Sequence, residues 1–137
     1  MSDEAATLDE SNRALVTESI VETARLHPWL IFAVQVRIRH VHVVVQATGE
    51  APEEVMRRFK AYASRQLNLR GRKRWWSRHG NTKYLWNLIA VEAATRYVVE
   101  EQGEPMALYV PQRSSVEKTR AGTLTPFRAR HRATMVR

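Results

Sequence analysis

The 137-residue sequence contains no cysteine, and this absence limits the chemistry that the protein can perform. A chain without cysteine has no disulfide framework, no thiolate nucleophile and no cysteine-based zinc site. The sequence also lacks an apolar run of membrane-spanning length, and its first ten residues are acidic, without the apolar core of a secretory signal. We therefore expect a cytoplasmic protein that has no membrane partner.

Acidic residues are missing from a long central segment. Between residues 55 and 91 there are ten lysines or arginines and no aspartate or glutamate, in a chain of net charge +8. The second half of this segment also contains Trp75, Trp76, Tyr84 and Trp86. Because cations bind phosphates and aromatic rings stack on unpaired bases, this composition indicates a single-stranded nucleic acid as the partner. The alternative is a solvated basic face whose tryptophans belong to the core.

The length suits one domain, and the sequence divides into three parts. We predict a disordered start over residues 1–8, a folded domain over residues 9–110 and a basic, disordered tail over residues 111–137. Helical periodicity predicts helices over residues 9–27, 53–68 and 88–102. Bulky and β-branched residues predict an antiparallel pair of strands over residues 29–37 and 39–46. Shorter strands are expected near Trp75, over residues 83–86 and over residues 106–110.

Two histidines stand out in the second of these strands. Alternate residues of a strand share a face, so His40 and His42 project in the same direction. Two imidazoles placed in this way can bind one divalent ion. The alternative is a chance pair in which a hydrogen bond satisfies each ring.

The order of these features resembles the single-tyrosine HUH transposases, and among them the REP-associated tyrosine transposases and their orphan relatives. The resemblance covers about residues 10–110. It is carried by residues 40–45 (HVHVVV), 59–61 (FKA), 64–65 (SR), 76–80 (WSRHG), 84–86 (YLW), 97–98 (YV) and 102–103 (QG).

The resemblance implies a fold, a reaction and a set of roles. The fold would be a ferredoxin-like α+β sandwich, with an antiparallel sheet, helices on one face of it and the catalytic helix near the histidines. His40 and His42 would bind Mg²⁺ or Mn²⁺, and Tyr97 would attack single-stranded or hairpin DNA to form a 5′-phosphotyrosine. Relatives place the third metal ligand four residues after the tyrosine, which here is Glu101, with Gln102 as the competitor. The resemblance also allows a homodimer.

The resemblance further implies contacts with DNA, although a plain surface or core role is an equal alternative for each residue. These candidates are Lys60, Arg65, Arg74, Trp75, Trp76, Arg78 and His79. The sequence departs from the family in one respect, because it has no β-strand before its first helix. Such an omission would expose sheet edges. It implies a truncated start, a partner that supplies the edge, or a relative that has lost its activity.

Two other functions are compatible with the same residues. The protein could be a non-catalytic nucleic-acid-binding module that keeps the fold and the basic face. It could also be a metal hydrolase that uses His40, His42 and His79 with water as the nucleophile.

Overall fold

A computed structural model describes residues 6–47, 49–76, 81–85, 87–100, 106–111 and 132–136. The side chains of Asn81, Lys83, Tyr84 and residues 132–136 are outside this description. The described chain forms three helices: α1 (Glu10–Leu26), α2 (Pro52–Asn68) and α3 (Leu88–Glu100). It also forms five strands: β1 (Leu30–Val36), β2 (Val41–Gln46), β3 (Asn81–Tyr84), β4 (Ala107–Tyr109) and β5 (Arg132–Val136).

All five strands join one antiparallel sheet in the order β3-β5-β2-β1-β4. The predicted α+β class is therefore confirmed, and the arrangement is consistent with the ferredoxin-like sandwich. The strand expected near Trp75 is wrong, because residues 71–76 contain no strand.

The central hairpin forms where apolar β-branched residues are concentrated. Gln35 lies opposite His42, and the backbone N–H of Arg37 donates to the carbonyl oxygen of His40 at 2.7 Å, which closes the hairpin. A bulge at Phe32 shifts the register between Ile31 and Ala33. Because a bulge adds one residue to one strand, it changes which side chains of β1 face each side of the sheet.

Helices were expected on one face of the sheet, but both faces carry them. On one face, β1 and β2 pack against α1 and α2 in a core of buried apolar residues. Typical members of this core are Ile20, Phe59, Leu67 and Val43. On the other face, Val44 and its neighbour Ala33 pack against α3. The hairpin is thus covered on both sides, which accounts for its nearly continuous run of valines.

Helix α1 begins at a side-chain cap, since the Asp9 carboxylate accepts a hydrogen bond from the N–H of Asn12 at 2.7 Å. Helix α2 begins at Pro52, whose missing N–H costs nothing in a first helical turn. Both helices lie within two residues of their predicted bounds.

The predicted domain bounds are wrong at both ends. Residues 1–8 were expected to be a disordered start, but Leu8 is buried in the core and its N–H donates to the carbonyl oxygen of Ile38 at 2.9 Å. Residues 111–137 were expected to be a disordered tail, but residues 132–136 form a strand that pairs with β2 on one side and β3 on the other. Both edges of β2 are therefore paired, and β3 and β4 are the outermost strands of the described sheet.

Candidate metal and tyrosine site

The hairpin places the two histidines on the face that α3 covers. His42 lies two residues before Val44 on β2, and alternate residues of a strand share a face, so both side chains point toward α3. The His40 ring is exposed at the start of the strand, and its centroid lies 6.1 Å from that of His42. The predicted common orientation of the pair thus agrees with the observed geometry.

His42 is held in its neutral form. The residue is only 6% exposed, and burial, followed by the positive charges of His40 and Arg37, lowers its pKa to about 4. A neutral imidazole keeps a lone pair for a metal ion at neutral pH. The Nδ1 atom is buried and has no hydrogen-bond partner within the described part of the chain. An unpartnered ring nitrogen is costly in a protein interior, and it fits the requirement for a metal ligand.

Tyr97 lies beside His42. It stands in the last turn of α3, and the centroids of the two rings are 6.3 Å apart with an angle of 74° between their planes. The tyrosine is 48% exposed, so a substrate can reach it. The fold therefore brings Tyr97 next to His40 and His42, from which it is more than 50 residues distant in the sequence. The sequence analysis singled out all three residues.

A buried glutamine, which the sequence analysis missed, connects this helix to the sheet. Gln35 is 0% exposed and lies directly opposite His42. Its Nε2 atom donates to the carbonyl oxygen of Val98 at 2.5 Å. Carbonyl groups in the last turn of a helix have no hydrogen-bond donor within the helix. Gln35 supplies the donor for one of them, the carbonyl of Val98, which is next to Tyr97 in the chain. The only signal in the sequence was a polar residue within an apolar strand.

Arg37 lies next to Gln35. Its Nη1 atom donates to Oε1 of Gln35 at 3.2 Å, and its charge contributes to the low pKa of His42. The cluster thus combines two imidazoles, a phenol and a guanidinium. The sequence analysis did not select Arg37.

The predicted third metal ligands, Glu101 and Gln102, lie outside the described residues. Across the residues that the structure does describe, no three histidine or acidic side chains are grouped as a metal site. Among the described residues, the candidate metal ligands are therefore His40 and His42.

The predicted DNA contacts that the structure describes lie elsewhere. Lys60 and Arg65 belong to α2, which packs on the opposite face of the sheet from α3. The Arg65 guanidinium lies over the Tyr62 ring at 5.1 Å, and Arg74 is exposed on the segment that follows α2. Arg78 and His79 fall outside the described residues.

The two tryptophans of this segment have structural roles. Trp75 is 4% exposed within the core, and its Nε1 atom donates to Oδ1 of Asn68 at 2.9 Å. Of the two roles predicted for Trp75, the core role is therefore confirmed and the contact with DNA is wrong, since a buried ring cannot stack on a base. Trp76 packs against the same core, and its Nε1 atom donates to the Ser64 hydroxyl at 2.5 Å.

Comparisons of the chain with models of protein families, with curated proteins and with solved structures found no match. The fold and the site define an antiparallel α+β domain with a His-His-Tyr cluster between its sheet and one helix. Within the described ranges, no helix combines the length and apolar character needed to cross a membrane.

Proposed function

We propose that the protein cleaves and rejoins single-stranded DNA through Tyr97 in a reaction that depends on Mg²⁺ or Mn²⁺. The observation that carries this proposal is the position of the Tyr97 ring, 6.3 Å from the His42 ring, which in turn lies 6.1 Å from that of His40. A phenol next to a pair of imidazoles that can bind a divalent ion is an arrangement suited to phosphoryl transfer to tyrosine.

The roles of the residues follow from the chemistry of a phosphodiester. Tyr97 Oη forms a bond to phosphorus while the bond to the 3′ oxygen breaks. The phenolic proton passes to solvent and the departing 3′ oxygen takes up a proton. His40 and His42 would hold the divalent ion, which supplies positive charge to the anionic phosphate when it is bound. The 5′-phosphotyrosine conserves the phosphodiester bond energy, so rejoining needs no nucleotide cofactor.

The test is the formation of a covalent adduct. The full chain is incubated with a single-stranded oligonucleotide that contains a hairpin, in the presence of Mn²⁺, and the products are separated under denaturing conditions. We expect a protein–DNA adduct that disappears with a chelator and in Tyr97→Phe. Tyr109→Phe is the matched control, because Tyr109 lies on β4, packs against the core on the other face of the sheet and should not affect the adduct.

A non-catalytic DNA-binding function is the second candidate. It is favoured by the separation between the cations of α2 and Tyr97, which lie on opposite faces of the sheet. It predicts salt-sensitive binding of single strands that neither Tyr97→Phe nor a chelator changes, with no adduct. A third outcome is DNA cleavage that gives no adduct and that persists in Tyr97→Phe. This outcome would contradict both candidates and favour water as the nucleophile.

A further inference from the structure

The side chain of Gln35 uses every side of its amide to join β1 to other parts of the fold. Its Nε2 atom donates to the carbonyl oxygen of Val98 at 2.5 Å. Its Oε1 atom accepts two hydrogen bonds at 3.2 Å, one from the backbone N–H of Met106 and one from Nη1 of Arg37. The side chain is fully buried, so these three contacts replace the water that the amide would otherwise bind.

These partners determine which way the amide faces. A carbonyl oxygen can only accept a hydrogen bond, whereas a backbone N–H and a guanidinium can only donate one. A half-turn of the Gln35 amide would place its NH₂ group against the donors of Met106 and Arg37. The same half-turn would place its oxygen against the carbonyl oxygen of Val98. The amide is therefore locked in the observed orientation.

The two backbone partners of Gln35 lie at either end of the connection between α3 and β4. Val98 belongs to the last turn of α3, and Met106 immediately precedes the first residue of β4. One side chain of β1 thus holds both the end of the helix and the start of the next strand.

Tyr97 takes its position from this anchored turn, because it is bonded directly to Val98 in the chain. Its own ring is about half exposed and is therefore held only in part by packing. Val98 also packs into the apolar core between α3 and the sheet. Apolar packing is non-directional, whereas a hydrogen bond restricts both distance and angle. The bond from Gln35 thus limits rotation and sliding of this turn on the sheet.

Gln35 is also tied to the histidine on the neighbouring strand. It lies directly opposite His42 in the register of β1 and β2, and the ring of His42 lies 6.3 Å from that of Tyr97. The pairing of the strands fixes Gln35 relative to His42, and the hydrogen bond to Val98 fixes it relative to the turn that carries Tyr97.

We infer that Gln35 is a positioning residue for Tyr97, which sets the place of the phenol beside His42 by holding the carbonyl of Val98. This inference rests on the proposed function and assigns part of the geometry of attack to a residue that is too buried to contact DNA. Attack on a phosphodiester needs a nucleophile that is held in line, and a misplacement of about 1 Å can lower the rate by about 100-fold.

The first measurement is the rate of adduct formation over a range of DNA concentrations, with Mn²⁺ present. Gln35→Met keeps a side chain of similar length and removes its donor and acceptor. We expect the rate at saturating DNA to fall by about 100-fold, while the DNA concentration at half saturation stays that of the wild type. Thr23→Val is the matched control, because it removes a buried hydroxyl that bonds to the carbonyl of Ser19 within α1, on the opposite face of the sheet.

The second measurement does not depend on activity. Nuclear Overhauser effects between the ring protons of Tyr97 and His42 are recorded for the free protein. We expect this effect in the wild type and in Thr23→Val, and its loss in Gln35→Met. The amide spectrum of each variant shows whether it is folded. Gln35→Glu, which keeps the acceptor and loses the donor, should lose the effect and the rate in the same way, and it takes the place of Gln35→Met if that variant does not fold.

The outcomes separate the two proposals. A wild-type rate, or a lower rate with an unchanged Overhauser effect, in Gln35→Met would overturn the role of Gln35 and leave the proposed function standing. Loss of the effect in Gln35→Met, together with no adduct in the wild type, would support the role of Gln35 in holding Tyr97 and overturn strand transfer. Absence of the effect in the wild type would overturn the inference, whatever the result of the adduct assay.

Discussion

His42 is an imidazole that the fold places where protonation is unfavourable. Its ring is buried between the sheet and α3, and burial together with the charges of His40 and Arg37 lowers its pKa from 6.5 to about 4. The unfolded chain therefore binds a proton at this ring between those pH values, whereas the folded chain does not. The free energy of unfolding must therefore fall as the pH falls from 6.5 to about 4. Above pH 6.5 the ring is mostly neutral in both states, so it no longer makes the free energy of unfolding depend on pH.

A comparison of the wild type with His42→Gln measures this contribution. Urea unfolding is followed at pH values from about 7 to about 4. We expect the wild type to lose up to about 3 kcal/mol more than the variant over this range, as the lowered pKa requires. The ionisation of Glu54, whose pKa is also lowered, is common to both proteins and cancels in the difference. Parallel pH profiles for the two proteins would show that His42 is not held neutral.

The residues of the site differed in how well the sequence revealed them. His40 and His42 were found because their spacing on a strand suits a metal ion, and Tyr97 was found through the resemblance to a family of tyrosine transposases. Gln35 and Arg37 were missed because their roles depend on contacts made only in the fold. The bond from Gln35 to Val98 joins residues 63 positions apart, and no local pattern indicates such a pair.

At the scale of elements, local signals were sufficient for the helices and the hairpin and insufficient for β5. Helix α2 has a regular apolar stripe and clear ends, so its bounds could be read from the sequence. The segment Arg132–Val136 is short and lies in a basic region with little periodicity. Its strand conformation depends on β2 and β3, which lie about 90 and 50 residues earlier in the chain.

A proline in β5 tests this pairing. Thr134 lies opposite Val44 of β2 and Lys83 of β3, so its backbone is in the interior of the sheet. Thr134→Pro removes an N–H from a position flanked on both sides, and we expect the free energy of unfolding to fall by at least about 2 kcal/mol. Thr134→Ala keeps the N–H and serves as the control. Equal urea midpoints for the two variants would contradict a central β5.

At the scale of the whole molecule, the sheet separates the His-His-Tyr cluster from two of the cations predicted to contact DNA, Lys60 and Arg65. The His-His-Tyr cluster lies on the face covered by α3, whereas the cations of α2 lie on the face that α1 shares. A DNA molecule that contacts both must pass around the edge of the sheet. The affinity for DNA and the rate of adduct formation are therefore expected to respond to different substitutions.

The double variant Lys60→Gln/Arg65→Gln tests this separation on α2. Its control is Arg25→Gln/Arg57→Gln, which removes two exposed arginines that already form ion pairs with glutamates, so both doubles lower the net charge from +8 to +6. The binding constant for a hairpin-containing single strand is measured over a range of salt concentrations. If Lys60 and Arg65 each contact a phosphate, the slope of log K against log salt becomes shallower by about 1.4, since each such contact contributes about 0.7.

The rate of adduct formation at saturating DNA should remain that of the wild type, because neither side chain is on the face of Tyr97. A slope equal to that of the wild type would remove Lys60 and Arg65 from the DNA-binding surface, and a slower rate at saturation would contradict the separation of the two faces.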